Sequence, residues 1–327
     1  MIANYFARLV CLCFASFFLA YMLVSLGIAL AAPAALRLAG QIRPSVAARL
    51  LFAMRLAPAA LAAFFVFGIC MPSYLSREPD LTAEKVGSVC MAMAVLGALI
   101  CAVGIKRALN AMARSHSFTR SCEHGGHEIR VPEESQPLLV IDEPAPLFAL
   151  SGIGNRSQLI ISRGLMRALS SQELSAALRH ERAHGISRDN LKRLAFLLAP
   201  KVFPFSRSFT GIERAWATFA EWAADDYSAG GDAGCALSLA SALVCAAKMG
   251  ARPEPAPLLN SLIVDGAGLA ARVDRLLSAE SSQLSPLRWK RPLFGSALLL
   301  AGVALITIVF WPSILSWAYS PLEYLIR

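Results

Sequence analysis

The stretch Ser170-Ser171-Gln172-Glu173-Leu174-Ser175-Ala176-Ala177-Leu178-Arg179-His180-Glu181-Arg182-Ala183-His184 decides how the rest of the chain is read. Ser170 is suited to cap a helix, and Glu173, three residues on, completes a capping box, so the spacing predicts a helix from that point. On such a helix His180 and His184 are i and i+4 and stand one above the other, able to present two imidazoles to one zinc ion. Glu181 sits beside them, near a metal-bound water. Zinc lowers the pKa of that water toward neutrality, and a carboxylate can then take its proton as it attacks a polarised carbonyl. A solvated surface helix can carry the same letters, so the third ligand decides between the two readings.

A hydrolytic zinc site needs that third protein ligand and one open position. Glu221-Trp222-Ala223-Ala224-Asp225 offers a candidate on a later helical stretch, reached after Pro200 and Pro204 let the chain turn back. Glu221 and Asp225 are again i and i+4, so one carboxylate can bind zinc while the other orients a ligand imidazole. Upstream, Leu138-Leu139-Val140-Ile141 and Leu159-Ile160-Ile161 are short apolar runs between Pro, Gly, Asn and Ser, and read as strands. Strands followed by helices over about 110–287 predict one α+β soluble core.

Outward from this core the chain is a membrane protein. Of 327 residues, 56% are hydrophobic and only 16% charged, against roughly 25% charged in an ordinary soluble domain. Charge is missing between Arg8 and Arg37, Arg55 and Arg77, Lys85 and Lys106, and Arg291 and Glu323, and each gap can hold the roughly 20 residues that cross a bilayer. The expected organisation is three spans within residues 1–105, at about 9–32, 56–75 and 86–105, a soluble domain at 106–291, and a fourth span with a short outer tail at 292–327. Pro58 and Pro72 trim the second span. Ala29-Leu30-Ala31 resembles a signal-peptide cleavage site, but the apolar region is long for a signal peptide and an uncleaved helix is favoured.

Arg37, Arg43, Arg49 and Arg55 fill the first connection without an acid, whereas Arg77 and Lys85 in the second are mixed with Glu78, Asp80 and Glu84. The excess of Lys and Arg places the first connection and the soluble domain in the cytoplasm and both termini outside. Lys and Arg outnumber Asp and Glu 31 to 22, a net charge of +9, which this topology accounts for with lipid as the partner and no nucleic acid. Five of the eight cysteines (Cys11, Cys13, Cys70, Cys90 and Cys101) lie in apolar stretches. They read as small packing residues that imply no oxidising compartment.

HExxH followed by ExxxD resembles the gluzincin metallopeptidases. Gly154-Asn155-Arg156-Ser157-Gln158-Leu159-Ile160-Ile161-Ser162, Gly164-Leu165 and Glu173-Leu174 ahead of the motif resemble two integral-membrane families, M48 (the CAAX-protease type) and M56 (the membrane-sensor type). Arg188-Asp189-Asn190-Leu191 after the second histidine, the short interval to Glu221, and three helices before with one after favour M56. The resemblance implies a multi-pass α-helical protein of a bacterial-type cytoplasmic membrane with an inserted α+β zincin-like domain. It implies one Zn2+ per chain held by His180, His184 and Glu221, with Glu181 as general base and Asp225 orienting a ligand. The implied activity is a zinc endopeptidase acting on a cytoplasmic or membrane-proximal protein, such as a repressor in signalling. Quality-control proteolysis of the M48 kind, or a non-catalytic adaptor, is the alternative. Arg182, where an aliphatic residue is common, and Gly185, where helix should continue, depart from the pattern. So does the short end of the chain, where M56 sensors carry a large outer domain.

Other features are secondary. Cys122-Glu123-His124-Gly125-Gly126-His127 holds three candidate metal ligands, but its glycines point to a flexible loop. Residues 233–247 read as a buried helix and Trp222 as packing, while Asp189 reads as catalytic support or, the preferred reading, as a polar residue at a helix C-terminus. Leu159, Ile160 and Ile161 precede the metal helix closely enough to form an edge strand onto which a substrate could add, or an ordinary interior strand. Reporter fusions at Asp80 and Ser206 are expected to give opposite sides of the membrane, and the same side for both would defeat the topology.

Overall fold

The computed structural model describes residues 2–77, 86–130, 137–153, 157–250, 258–261 and 266–278. The expected fourth span and the connection around Asp80 lie outside the described residues.

Three long helices come first: α1 (Ile2–Ala39), α2 (Pro44–Phe65), which continues through a π-helical turn (Val66–Cys70) into α3 (Met71–Arg77), and α4 (Ser88–Gly125). Their apolar stretches, Tyr5–Ala39, Pro44–Ser76 and Ser88–Gly125, are 35, 33 and 38 residues long, about 50–57 Å at 1.5 Å per residue. That exceeds the roughly 30 Å of a hydrocarbon layer, so each helix is longer than a crossing needs, and parts of all three pack on the second half of the chain. Pro58 and Pro72 do not cut the second span. The helix runs on from Pro44 to Arg77 with its irregularity confined to the π turn, because packing against α1 holds it together where proline removes a backbone donor. Nor does α4 end near Lys106.

The expected loop at Cys122–His127 is instead the end of α4 and the start of β1 (Gly126–Ile129). Gly126 is needed there for close approach: a Cβ would fall 2.7 Å from Cys122 O and 2.9 Å from Val140 O. The sheet continues with β2 (Leu138–Ile141), β3 (Phe148–Ser151), β4 (Gln158–Ser162) and β5 (Leu259–Ser261), in the order β1-β2-β4-β3-β5. Its pairs are antiparallel except β2 with β4. Strand side chains alternate between faces. Leu139, Ile141, Ala149 and Ile160 therefore meet Phe118 and Cys122 of α4, while Leu138, Val140, Phe148, Leu150, Leu159 and Ile161 form the main core on the other face. Burial on both faces explains why these runs are continuously apolar.

This arrangement corrects the docking expectation for Leu159, Ile160 and Ile161. Ile160 pairs with Leu139 on one side and Ala149 on the other, and β4 is an interior strand with no free edge to offer a substrate.

The remaining helices are α5 (Arg163–Ala168), α6 (Ser171–Ser187), α7 (Asp189–Leu198), α8 (Ser206–Ala229), α9 (Ala233–Lys248) and α10 (Gly266–Leu277). The α8 helix has two jobs along its length. Phe209, Ile212, Trp216 and Phe219 pack with Ala32, Ala39, Ala47 and Leu51 of α1 and α2, whereas Ala224, Asp225 and Ser228 are buried further on, where Ser228 Oγ donates to Ala176 O of α6 at 2.7 Å.

The contact of α1 with α4 depends on Gly97, where a Cβ would lie 2.2 Å from Phe14 O. Gly97→Val is therefore expected to lower the stability of the detergent-solubilised protein by about 2 kcal/mol through overpacking, read as a lower thermal midpoint. A midpoint equal to that of the wild type would show that the two helices are not held this closely.

Candidate metal centre

The capping box forms: Ser170 N donates to Glu173 Oε2 at 2.8 Å, and Glu173 N donates to Ser170 Oγ at 3.3 Å. Ser241 of α9 also donates to Glu173, so the start of α6 is tied to the core. The helix then runs unbroken through Gly185, whose absent side chain leaves room for Leu150. It ends at Arg188, which takes a left-handed conformation (φ 56°) and turns the chain into α7.

On the buried face of α6, His180, Glu181 and His184 are at most 2% exposed. His180 Nε2 and His184 Nε2 face each other at 3.2 Å. Glu221 of α8 completes the group, with Oε2 3.4 Å from His180 Nε2 and Oε1 3.5 Å from His184 Nε2. Among the described residues, these three form the one group of His, Cys, Asp and Glu able to share a metal ion. Cys122, His124 and His127 form no such group.

The donor set fits zinc. Ligands about 2.0–2.2 Å from a tetrahedral ion stand roughly 3.3–3.6 Å apart, close to the three separations found here. Both imidazoles turn Nε2 inward and Nδ1 toward a carboxylate, as ligand histidines do. His180 Nδ1 lies 3.1 Å from Asp225 Oδ1, and His184 Nδ1 donates to Asp189 Oδ2 at 2.7 Å.

Asp189 is thus corrected: it is the buried first residue of α7, held by His184 and by Lys192 Nζ at 2.7 Å, and not a polar residue at a helix C-terminus. Asn190 beside it donates to Leu150 O and Gly152 O at 3.0 and 2.9 Å, clamping α7 to the end of β3. A second partner that sequence reasoning missed is Arg272 of α10. Its Nε and Nη2 donate to the two carboxylate oxygens of Asp225 at 2.9 and 2.7 Å, its Nη1 lies 3.0 Å from Glu221 Oε2, and its Nη2 lies 3.4 Å from His180 Nε2. The only advance signal was an arginine on an amphipathic helix.

Electrostatics follow from burial and these partners. Burial pushes the Glu181 carboxyl up to about 7, against the pull of the two imidazoles, and neither of its oxygens has a hydrogen-bond partner among the described residues. For Glu221, burial opposes ionisation, but Arg272 and the imidazoles outweigh it and hold the group well below the ordinary carboxylate range. Asp225 is lowered the same way, chiefly by Arg272 against its burial. Burial works against a charge on His184 too, yet Glu221 and Asp189 push it up to about 10. A cavity of about 760 Å³ between α4, the β3–β4 connection and Leu194 contains none of these side chains. Trp222 stacks edge-on against Phe219 and under Arg275, a packing role.

Compared with known families, residues 120–247 match the model of peptidase family M48. The matched stretch runs from the end of α4 into α9 and includes His180, Glu181, His184, Glu221 and Asp225. Arg272 lies beyond it. The match supports the M48 side of the resemblance and gives none to the preference for M56. A search of curated proteins finds no match. An M48-like peptidase region with three long apolar helices fits a membrane metallopeptidase.

Asp189→Asn and Asp225→Asn are each expected to weaken zinc affinity roughly 10- to 100-fold in chelator competition, and His184→Ala to abolish stoichiometric zinc. Unchanged affinity in both asparagine variants would remove the orienting role of the carboxylates.

Proposed function

We propose that the chain is a membrane-embedded zinc endopeptidase that hydrolyses peptide bonds of a cytoplasmic or membrane-proximal protein. The reading rests on one observation above all: donor atoms of His180, His184 and Glu221 lie within 4.8 Å of one another, beside a buried glutamate. The M48 match over residues 120–247 supports it independently.

His180 Nε2, His184 Nε2 and a Glu221 oxygen would hold the ion, with Asp225 and Asp189 fixing the two imidazoles. Zinc bound there would supply Lewis acidity toward a peptide carbonyl and ease deprotonation of a water. Glu181 takes the water proton on a carboxylate oxygen and returns it to the departing amide nitrogen. Burial raises that carboxyl above the ordinary carboxylate range, which suits it to hold a proton between the two halves of the transfer. Burial of Glu181 excludes bulk water from the proton it carries, and Arg272 keeps Asp225 and Glu221 ionised for their ligand and orienting roles.

Both termini outside and a cytoplasmic catalytic domain are supported by the distribution of Lys and Arg in the connections. A place in signalling, with a repressor as substrate, is supported by the resemblance to M56 alone.

Glu181→Gln separates a peptidase from a non-catalytic adaptor. The purified variant is expected to keep its zinc while cleavage of an unfolded protein substrate falls roughly 100- to 10,000-fold. Cleavage at the wild-type rate, or a wild-type protein that holds zinc and cuts nothing, would sink the proposal.

A further inference from the structure

The corner between α7 and α8, residues 198–205, is not built like a solvent loop. In water, the last carbonyls of a helix are hydrated. Here they are met by buried side chains of the apolar helices. Arg55 of α2, fully buried, donates through Nη2 to Phe196 O at 3.4 Å and to Ala199 O. Tyr21 of α1, also buried, donates to Pro200 O at 2.7 Å. Leu198 O presses on α4 at Gly104, where a Cβ would come within 2.4 Å. Side-chain donors for the carbonyls of Phe196, Ala199 and Pro200, with a glycine at the closest approach, are what irregular backbone needs where no water can reach it.

The depth of this corner can be read from the helices. The α1 and α4 helices run side by side in the same direction: Phe14 meets Gly97, and seven residues further along each helix, Tyr21 and Gly104 both meet 198–200. Gly104 lies in the last uncharged turn of α4 before Lys106 and Arg107. The outer surface at that level is apolar, with Leu19, Leu23, Val103 and Ile105 exposed. Leu198 is exposed there too, and Phe203 is 84% exposed, among the most exposed large apolar side chains described. The one charge within the corner, Lys201, is turned back to pair with Glu213 at 2.6 Å, and the next, Arg207, is exposed in the first turn of α8.

We infer that this corner is a lipid-inserted anchor: Leu198 and Phe203 enter the acyl chains of the leaflet on the peptidase side, as an addition to the apolar helices. The inference rests on the membrane placement proposed above. It extends an apolar surface already continuous along α1 and α4, and lipid acyl chains match its chemistry without a protein partner. Glu221 lies 15 residues beyond Ser206 on α8, about 23 Å along the helix axis. The anchor therefore fixes the height of the metal centre above the acyl chains.

The test uses the full chain reconstituted in phospholipid vesicles containing a lipid with a photoreactive diazirine on its acyl chain, with adducts mapped by peptide mass spectrometry. Leu99 of α4, 57% exposed, serves as the membrane control, and Leu237 of α9, 59% exposed, as an equally apolar control away from lipid. Adduct yield over 198–205 is expected to equal that at Leu99 and to exceed that at Leu237 roughly tenfold. Phe203→Asp should lose the adducts at the corner, with labelling at Leu99 and zinc content unchanged. Adducts at Leu99 with none at 198–205 would overturn the anchor and leave the membrane placement standing. In that outcome, hydroxyl-radical oxidation of Phe203 would mark the corner as wet, and protection of Phe203 would mark it as covered by another protein copy. Absence of adducts at both sites would overturn the placement and the anchor together.

Discussion

The contact of α6 with α8 takes ionisable groups out of water, and the rest of the domain is arranged to compensate for that. His180, Glu181 and Asp225 have no exposed surface and His184 only 2%. An isolated buried charge costs several kcal/mol, and breaking a buried pair costs about 3–5 kcal/mol. No single helix carries its own remedy. The imidazoles come from α6, the carboxylates of Glu221 and Asp225 from α8, Asp189 from the start of α7 and Arg272 from α10. Alanines at 176, 177 and 224 leave the space in which these elements approach. The site therefore forms only when four helices spread over residues 171–277 are packed together, which ties metal binding to folding.

The same helix that carries Glu221 is tied to the apolar helices. Eight residues before it, Glu213 accepts from Arg55 Nε at 2.7 Å, and Phe196 and Phe209 lie under the guanidinium at 5.6 and 5.0 Å. A fully buried arginine on an apolar helix, paired with a carboxylate and with carbonyls from α7, fixes α7 and α8 relative to α2. Because α7 carries Asp189 and α8 carries Glu221, one arginine outside the M48-like stretch influences two positions of the metal centre. This gives the length of α2 a purpose that crossing a membrane alone would not.

What could be read from sequence was what is local. The Ser170 capping box, the i and i+4 pairs on α6 and α8, and the apolar strands all express periodicities of one element, and the structure forms each of those elements. Arg272 was illegible because it is one of 31 basic residues and acts 47 residues from Asp225, with no spacing to connect them. Asp189 was misread because its meaning depends on the left-handed turn at Arg188, which folds α7 back beside His184. The interior position of β4 was equally beyond local reading. Three apolar residues in a row suit an edge or a centre, and the choice is made when β3 pairs with β4 on the side opposite β2. At Gly125-Gly126, glycine was taken as a sign of flexibility, whereas Gly126 meets a demand for close backbone approach.

The charges of the assembled centre carry the argument one step further. Glu181, Asp189, Glu221 and Asp225 contribute four carboxylates, and Arg272 and Lys192 are the two cations paired with them. With both imidazoles neutral, as ligand histidines must be, two negative charges remain unbalanced in a region closed to water. A divalent cation would cancel that excess. In the absence of a cation, protonation can offset the same excess, at Glu181, whose carboxyl burial already raises to about 7, and at His184, which Glu221 and Asp189 push up to about 10. The two are raised for different reasons, Glu181 by its burial and His184 by the carboxylates of Glu221 and Asp189 against its burial. The charge left when both histidines serve as neutral ligands and the spacing of the donor atoms thus suit the same occupant, a divalent cation.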